Sequence, residues 1–200
     1  MKTNRKLFKT LLLGRLLPLL TSLLLMAVSC EKEELSEIER LPAATQEGKN
    51  TFGCLINGKA FVPNGNAGFG VPPLRSFYQY LFEDFNPVKG HFFEVSAGDY
   101  RKEGRFIVVV LGTNALELKE GETYHLTGPD QVGRAFAMVD FSPIGLNSHK
   151  VVSPLTGELR ITKFDQQRGI VAGTFWFDAV NSQGEKVEVR EGRFDMRYHQ

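Results

Sequence analysis

The groups that could carry chemistry in this 200-residue chain are four histidines, two cysteines and a scatter of carboxylates. His91, His125, His149 and His199 stand at least 24 residues apart. They show neither an HExxH pair nor a Cys/His spacing that would hold zinc, so no metal site and no cofactor are expected. No serine sits in a Gly-x-Ser-x-Gly elbow. The glycine-rich GNAGFG (65–70) lacks the Lys-Ser/Thr of a phosphate loop and runs into Val71-Pro72-Pro73, where no helix N-terminus can hold phosphate. Glu83 with Asp84, or two of Asp140, Asp165, Asp178 and Asp195, would suit glycoside hydrolysis if they stood about 5 to 9.5 Å apart across a cleft. Salt-linked surface positions are the plainer reading, with Asp178 and Asp195 on the solvated side of their strands. No Ca²⁺-loop pattern appears. No residue is therefore assigned a catalytic role.

Aromatic residues make a second kind of candidate. SFYQYLFEDF (76–85) places Tyr78, Tyr80 and Phe82 on one face of a strand, and Phe77, Gln79 and Leu81 on the other. Trp176 points away from the face of Phe175 and Phe177. Tyr78, Tyr80 and Trp176 are thus candidate binding residues, since exposed rings stack on sugars or anchor protein partners. The alternative is that this face is covered by another sheet or by the loop 142–157.

The elements that must position these groups read as strands. TFGCLI and KAFVP are apolar runs separated by Asn57-Gly58, the strongest short-range hairpin signal. Further short runs follow: Ser76–Phe82, His91–Ala97, Arg105–Gly112, Thr123–Thr127, Arg134–Phe141, Glu158–Phe164, Gly169–Val180, Lys186–Arg190 and Gly192–Tyr198. RFIVVVLG is apolar on both faces and suits a central strand. Phe175, Phe177 and Ala179, then Val187 and Val189, then Phe194, Met196 and Tyr198 alternate with polar residues, as expected of a meander with one wet face. TNALELKEGE is the closest approach to a helix, and Gly121 ends it. The expected fold is all-β: an antiparallel β-sandwich or partly closed β-barrel of about eleven strands, with no substantial helix in the mature domain.

The N-terminal residues have a different texture. Lys2, Arg5, Lys6 and Lys9 precede Arg15 and the apolar run Leu16–Val28, 13 residues long. A helix needs about 20 apolar residues to span a bilayer, so 1–29 reads as a secretory signal. Ala27 and Ser29 suit cleavage after Ser29. The stretch also resembles the lipobox of bacterial lipoproteins, with Ala27 where leucine is usual; that resemblance implies a lipid on Cys30. Lys32, Glu33 and Glu34 resemble the surface-export signal of lipoproteins in one group of Gram-negative commensals. It implies the outer face of the outer membrane, with a periplasm-facing anchor as the alternative.

Five of the 24 Lys+Arg leave with the signal and all 23 Asp+Glu remain, so the mature chain carries −4, which argues against nucleic acid. Residues 30–50, the lipidated Cys30 and an acidic run broken by Pro42, are expected to form a flexible tether spanning about 25 Å. Ser36 and Glu39 have capping-box spacing within it. Residues 51–200 are expected to be one domain. Cys54, in an apolar strand without a partner, is expected to be a buried, inert thiol.

LPAATQEGKNTFGCLINGKAFVP (41–63), GTFWFDAVNSQG (173–184) and VEVREGRFDMRY (187–198) resemble the opening and closing motifs of a family of uncharacterised outer-membrane lipoproteins. The resemblance implies an all-β body at the cell envelope and carries over no catalytic residue. The expected role is a non-enzymatic, membrane-anchored envelope protein that binds glycan or a protein partner through loops 63–75 and 142–157 or the aromatic face. A carboxylate-dependent glycan hydrolase and a structural subunit of a surface assembly are the rivals.

Overall fold

Asn57-Gly58 turns the chain as its residue types dictate. φ is 49° at Asn57 and 77° at Gly58, which pairs β1 (Thr51–Ile56) with β2 (Lys59–Phe61). The computed structural model describes residues 34–65, 72–82, 88–102, 105–141 and 147–199. The remaining strands are β3 (Leu74–Leu81), β4 (Gly90–Lys102), β5 (Arg105–Asn114), β6 (Thr123–Thr127), β7 (Arg134–Phe141), β8 (Asn147–Lys150), β9 (Gly157–Asp165), β10 (Ile170–Val180) and β11 (Lys186–Arg197). The described residues contain no helix. The signal segment 1–29, Cys30, Lys32 and Glu33 lie outside the described residues, as do Glu83, Asp84 and parts of the loops 63–75 and 142–157.

All eleven strands belong to one sheet, in the order β2-β1-β11-β10-β9-β6-β7-β5-β4-β3, with β8 bridging β7 and β10. Every pairing is antiparallel except β6 with β7. The apolar RFIVVVLG lies in β5, central between β4 and β7. The sheet curls into a partial ring but does not close into a barrel. Its end strands β2 and β3 are not paired with each other, and the seam is held by single bridges of Asn64 to Asp99 and of Phe77 to His199.

The strand count agrees with expectation while two assignments change. Lys186–Arg190 and Gly192–Tyr198 merge into one strand, which ends at Arg197. Phe175 faces Gly192 but Phe177 faces Val189, so β11 carries an extra residue there, with Glu191 at φ 53°. The polar NSHK of β8 has no apolar period to mark it.

The inner face supplies the core. Phe52, Phe93, Phe177, Leu111, Leu159 and Ile161 are all essentially inaccessible, and each such side chain contributes about 1.5–3 kcal/mol by burial. Two glycines make room for rings. Gly192 lies directly opposite Phe175, and Gly173 opposite Phe194. A Cβ on Gly192 would come within 2.4 Å of the Phe175 ring, and one on Gly173 within 2.8 Å of Phe194.

Residues 36–50, expected to be tether, pack on the outer face of β1 and β11, and Ser36–Gln200 form one unit. Ser36 and Glu39 make the reciprocal bonds of a capping box, around a turn and not a helix. Glu37 Oε2 accepts the amide of Ala60 at 2.6 Å, satisfying a donor on the edge strand β2. Leu41 is buried, and Pro42 sits so close over Gly53 that a Cβ there would meet it at 2.5 Å.

Asp195 explains why this segment stays in place. Its position in the alternation is outward, but it is fully buried, because residues 45–49 cover it. Oδ2 accepts from the Thr45 hydroxyl at 2.6 Å and from the amides of Glu47 at 3.0 Å and Lys49 at 3.2 Å; Oδ1 accepts from Gly48 at 2.6 Å. Burial by itself pushes the carboxyl up, and these four donors outweigh it, so Asp195 titrates below the usual range. In a flexible tether these amides would bond water; here a buried carboxylate takes them.

Candidate functional site

A shallow groove of about 620 Å³ opens on the outer face of β6, β9, β10 and β11, closed at one side by Ala44 of the docked segment. Register builds it. Thr123, Arg160, Thr174 and Arg193 are direct cross-strand partners in one row. His125, Glu158 and Trp176 form the next row. Directly opposed residues share a face, so the first row presents two guanidinium groups and two hydroxyls. The β11 bulge adds Arg190 and Glu191 beside Trp176.

Trp176 is half-buried in this groove, and its Nε1 donates to Glu158 Oε2 at 3.4 Å. The guanidinium of Arg190 lies over the indole, 5.6 Å from its centroid. Arg190 is itself fixed by Asp178 at 2.6 Å and by the carbonyls of Phe177 and Val189. Arg193 donates through Nε to the Glu191 carbonyl at 3.2 Å, while its Nη2 is 3.9 Å from that residue's carboxylate. Arg160 is exposed, and among the described residues no ion pair or side-chain hydrogen bond involves its guanidinium.

The three candidate aromatics do not share a surface. Tyr78 is core. It stacks on His91 at 5.2 Å and meets Phe164 and Tyr198 edge-on, and burial pushes its hydroxyl up to about 12. Tyr80 remains 44% and Phe82 63% exposed, with the Tyr80 ring edge-on to both Phe82 and His91. Trp176 stands on the opposite face, as its alternation with Phe175 and Phe177 requires.

The candidate carboxylates are engaged elsewhere. Asp140 accepts from the Ser148 hydroxyl, Asp165 binds Arg168 at 2.7 Å, Asp178 holds Arg190 and Asp195 holds the docked segment. The groove's own carboxylates are Glu158 and Glu191, which no motif marks. Ser148, Asp140 and His149 do not form a triad, because Ser148 and His149 are consecutive on β8 and face opposite sides; His149 is buried against Phe141. Among the described residues no three His, Cys, Asp or Glu side chains gather as metal ligands, and no helix is long and apolar enough to cross a membrane.

Cys54 is free, fully buried, and raised well above the ordinary thiol range by desolvation. Both edges of the sheet carry bonds to other segments of the chain. Ala60 donates to Glu37 on β2, while on β3 the Tyr78 amide donates to the His199 carbonyl and Ser76 accepts from the His199 amide. Strand addition by a partner would have to displace these bonds.

Set against protein-family models, curated proteins and solved structures, the chain finds no match.

Proposed function

We propose that this is a non-enzymatic, lipid-anchored envelope protein whose outer-face groove binds a glycan. The anchor part follows from the sequence alone: the basic and apolar leader, Cys30 after Ala27 and Ser29, and Lys32-Glu33-Glu34 as a surface-export signal, as in the outer-membrane lipoproteins its motifs resemble. The groove carries the binding part. Trp176 stands in it beside hydroxyls, carboxylates and an uncommitted arginine, the side chains that recognise sugars by stacking and by hydrogen bonds. Glu158 accepts the Trp176 N–H at 3.4 Å and Glu191 lies 3.9 Å from Arg193, so both stand as acceptors among the groove's donors.

Trp176 is the only tryptophan in the chain, so its emission reports on the groove directly. The test is to titrate full-length protein in detergent with a panel of neutral and charged oligosaccharides. The proposal predicts a saturable change in Trp176 emission with at least one of them and no change in the sugar's chain length after prolonged incubation. Shortened products would establish the hydrolase reading. Silence across the panel would refute glycan binding at this groove.

A further inference from the structure

We infer that the groove takes a uronic-acid-bearing oligosaccharide, with a carboxylate seated over Thr174 between Arg160 and Arg193 and a sugar ring against Trp176. This rests on the binding reading above and names its ligand class. Arg160 and Arg193 are the direct partners of Thr174 on either side, so both guanidinium groups share its face. Neighbouring strands lie about 4.8 Å apart, which puts the two arginine backbones roughly 10 Å apart with a hydroxyl between them. An anion over Thr174 is thus flanked by two arginines, whose forked donors suit carboxylates.

The three arginines are not equivalent. Arg190 is committed through Nη1 and Nη2 to Asp178 and two carbonyls and braces the indole. Arg193 is held through Nε alone, with Nη2 beyond hydrogen-bond distance of Glu191. The Arg160 guanidinium has no partner among the described residues. The cationic capacity left over is therefore concentrated in the Arg160–Thr174–Arg193 row. Glu158 of the adjacent row and Glu191 of the bulge offer acceptors instead, which accept hydrogen bonds from hydroxyls and repel further carboxylates. One acid beside several hydroxyls on a ring satisfies both rows. An acidic peptide, with carboxylate following carboxylate, satisfies only the first.

The test uses full-length protein in detergent and three probes: tetragalacturonate, its fully methyl-esterified form and a tetraglutamate peptide. Affinity is read by calorimetry and by Trp176 emission. Tetragalacturonate should bind, the ester at least tenfold more weakly, and Arg160→Gln should lower the acid's affinity about tenfold while leaving the ester's unchanged. Arg160 is solvent-exposed, so this variant retains its fold, which thermal melting verifies. Trp176→Ala, followed by calorimetry, should weaken both sugars. Equal affinity for acid and ester, or an indifferent Arg160→Gln, overturns the uronate assignment while glycan binding survives. Tetraglutamate binding more tightly than the sugar, and through Arg160, overturns it in favour of an acidic peptide. Failure of tetragalacturonate to bind while other glycans do overturns it as well.

Discussion

Asp195 shows how far one side chain can move a boundary. Four donors from residues 45–49 converge on a carboxylate with no exposed surface. Asp195→Asn places an NH₂ among donors and should cost about 2–4 kcal/mol at neutral pH, read as a lower urea midpoint. Because the native carboxyl titrates below its unfolded value of about 3.9, its contribution is present in full above that value and is lost as pH falls through the depressed native one. The gap between wild type and Asp195→Asn should therefore narrow below pH 4; a gap that stays constant from pH 7 to pH 3 contradicts the assignment. The alternation along GRFDMRY places Asp195 on the outer face, correctly, yet it cannot reveal that a segment 150 residues earlier in the chain covers it. Cys54 was more legible, since an apolar strand dictates burial. Its thiol should react with an aqueous thiol reagent more than a hundredfold more slowly in native than in urea-unfolded protein.

At the scale of elements, the docked segment 36–50 and the seam are the parts that local pattern does not disclose. The Asn57-Gly58 hairpin, the central β5 and the alternating β10 and β11 are readable because their signals lie within a dozen residues. Docking, by contrast, rests on Glu37 with Ala60, Pro42 with Gly53, and Asn50 Oδ1 with the Arg197 amide, pairings set by tertiary register. Gly53→Ala should cost about 1–3 kcal/mol through the clash with Pro42, measurable by thermal melting. Deleting residues 36–44 should restore an Ala at position 53 to near neutrality, whereas a loose tether would make Gly53→Ala neutral from the outset. The seam depends on Tyr198, which is buried against Phe164 and Tyr78 and leads into the His199 bonds to β3. Tyr198→Ala should cost about 3–5 kcal/mol, and hydrogen exchange should show β3 as the region most exposed by it.

For the molecule as a whole, the groove is a product of the order β6-β9-β10-β11. Of its residues only Trp176 stands out in the sequence. Arg160, Arg193, Thr123, Thr174, Glu158 and Glu191 are ordinary strand residues until pairing brings them into two rows. That is why the aromatic candidates were only partly informative: Tyr78 belongs to the same apolar alternation that fills the core, and Trp176 to the opposite face. The central claim is a groove displayed outward from the outer membrane on a lipidated Cys30. A membrane-impermeant maleimide tests it most directly in cells carrying Thr174→Cys, since Cys54 is buried and contributes no background. The account predicts labelling of intact cells, abolished by adding Lys32→Ala, Glu33→Ala and Glu34→Ala and restored when the outer membrane is opened. Labelling of the Thr174→Cys protein only after the outer membrane is broken would contradict it.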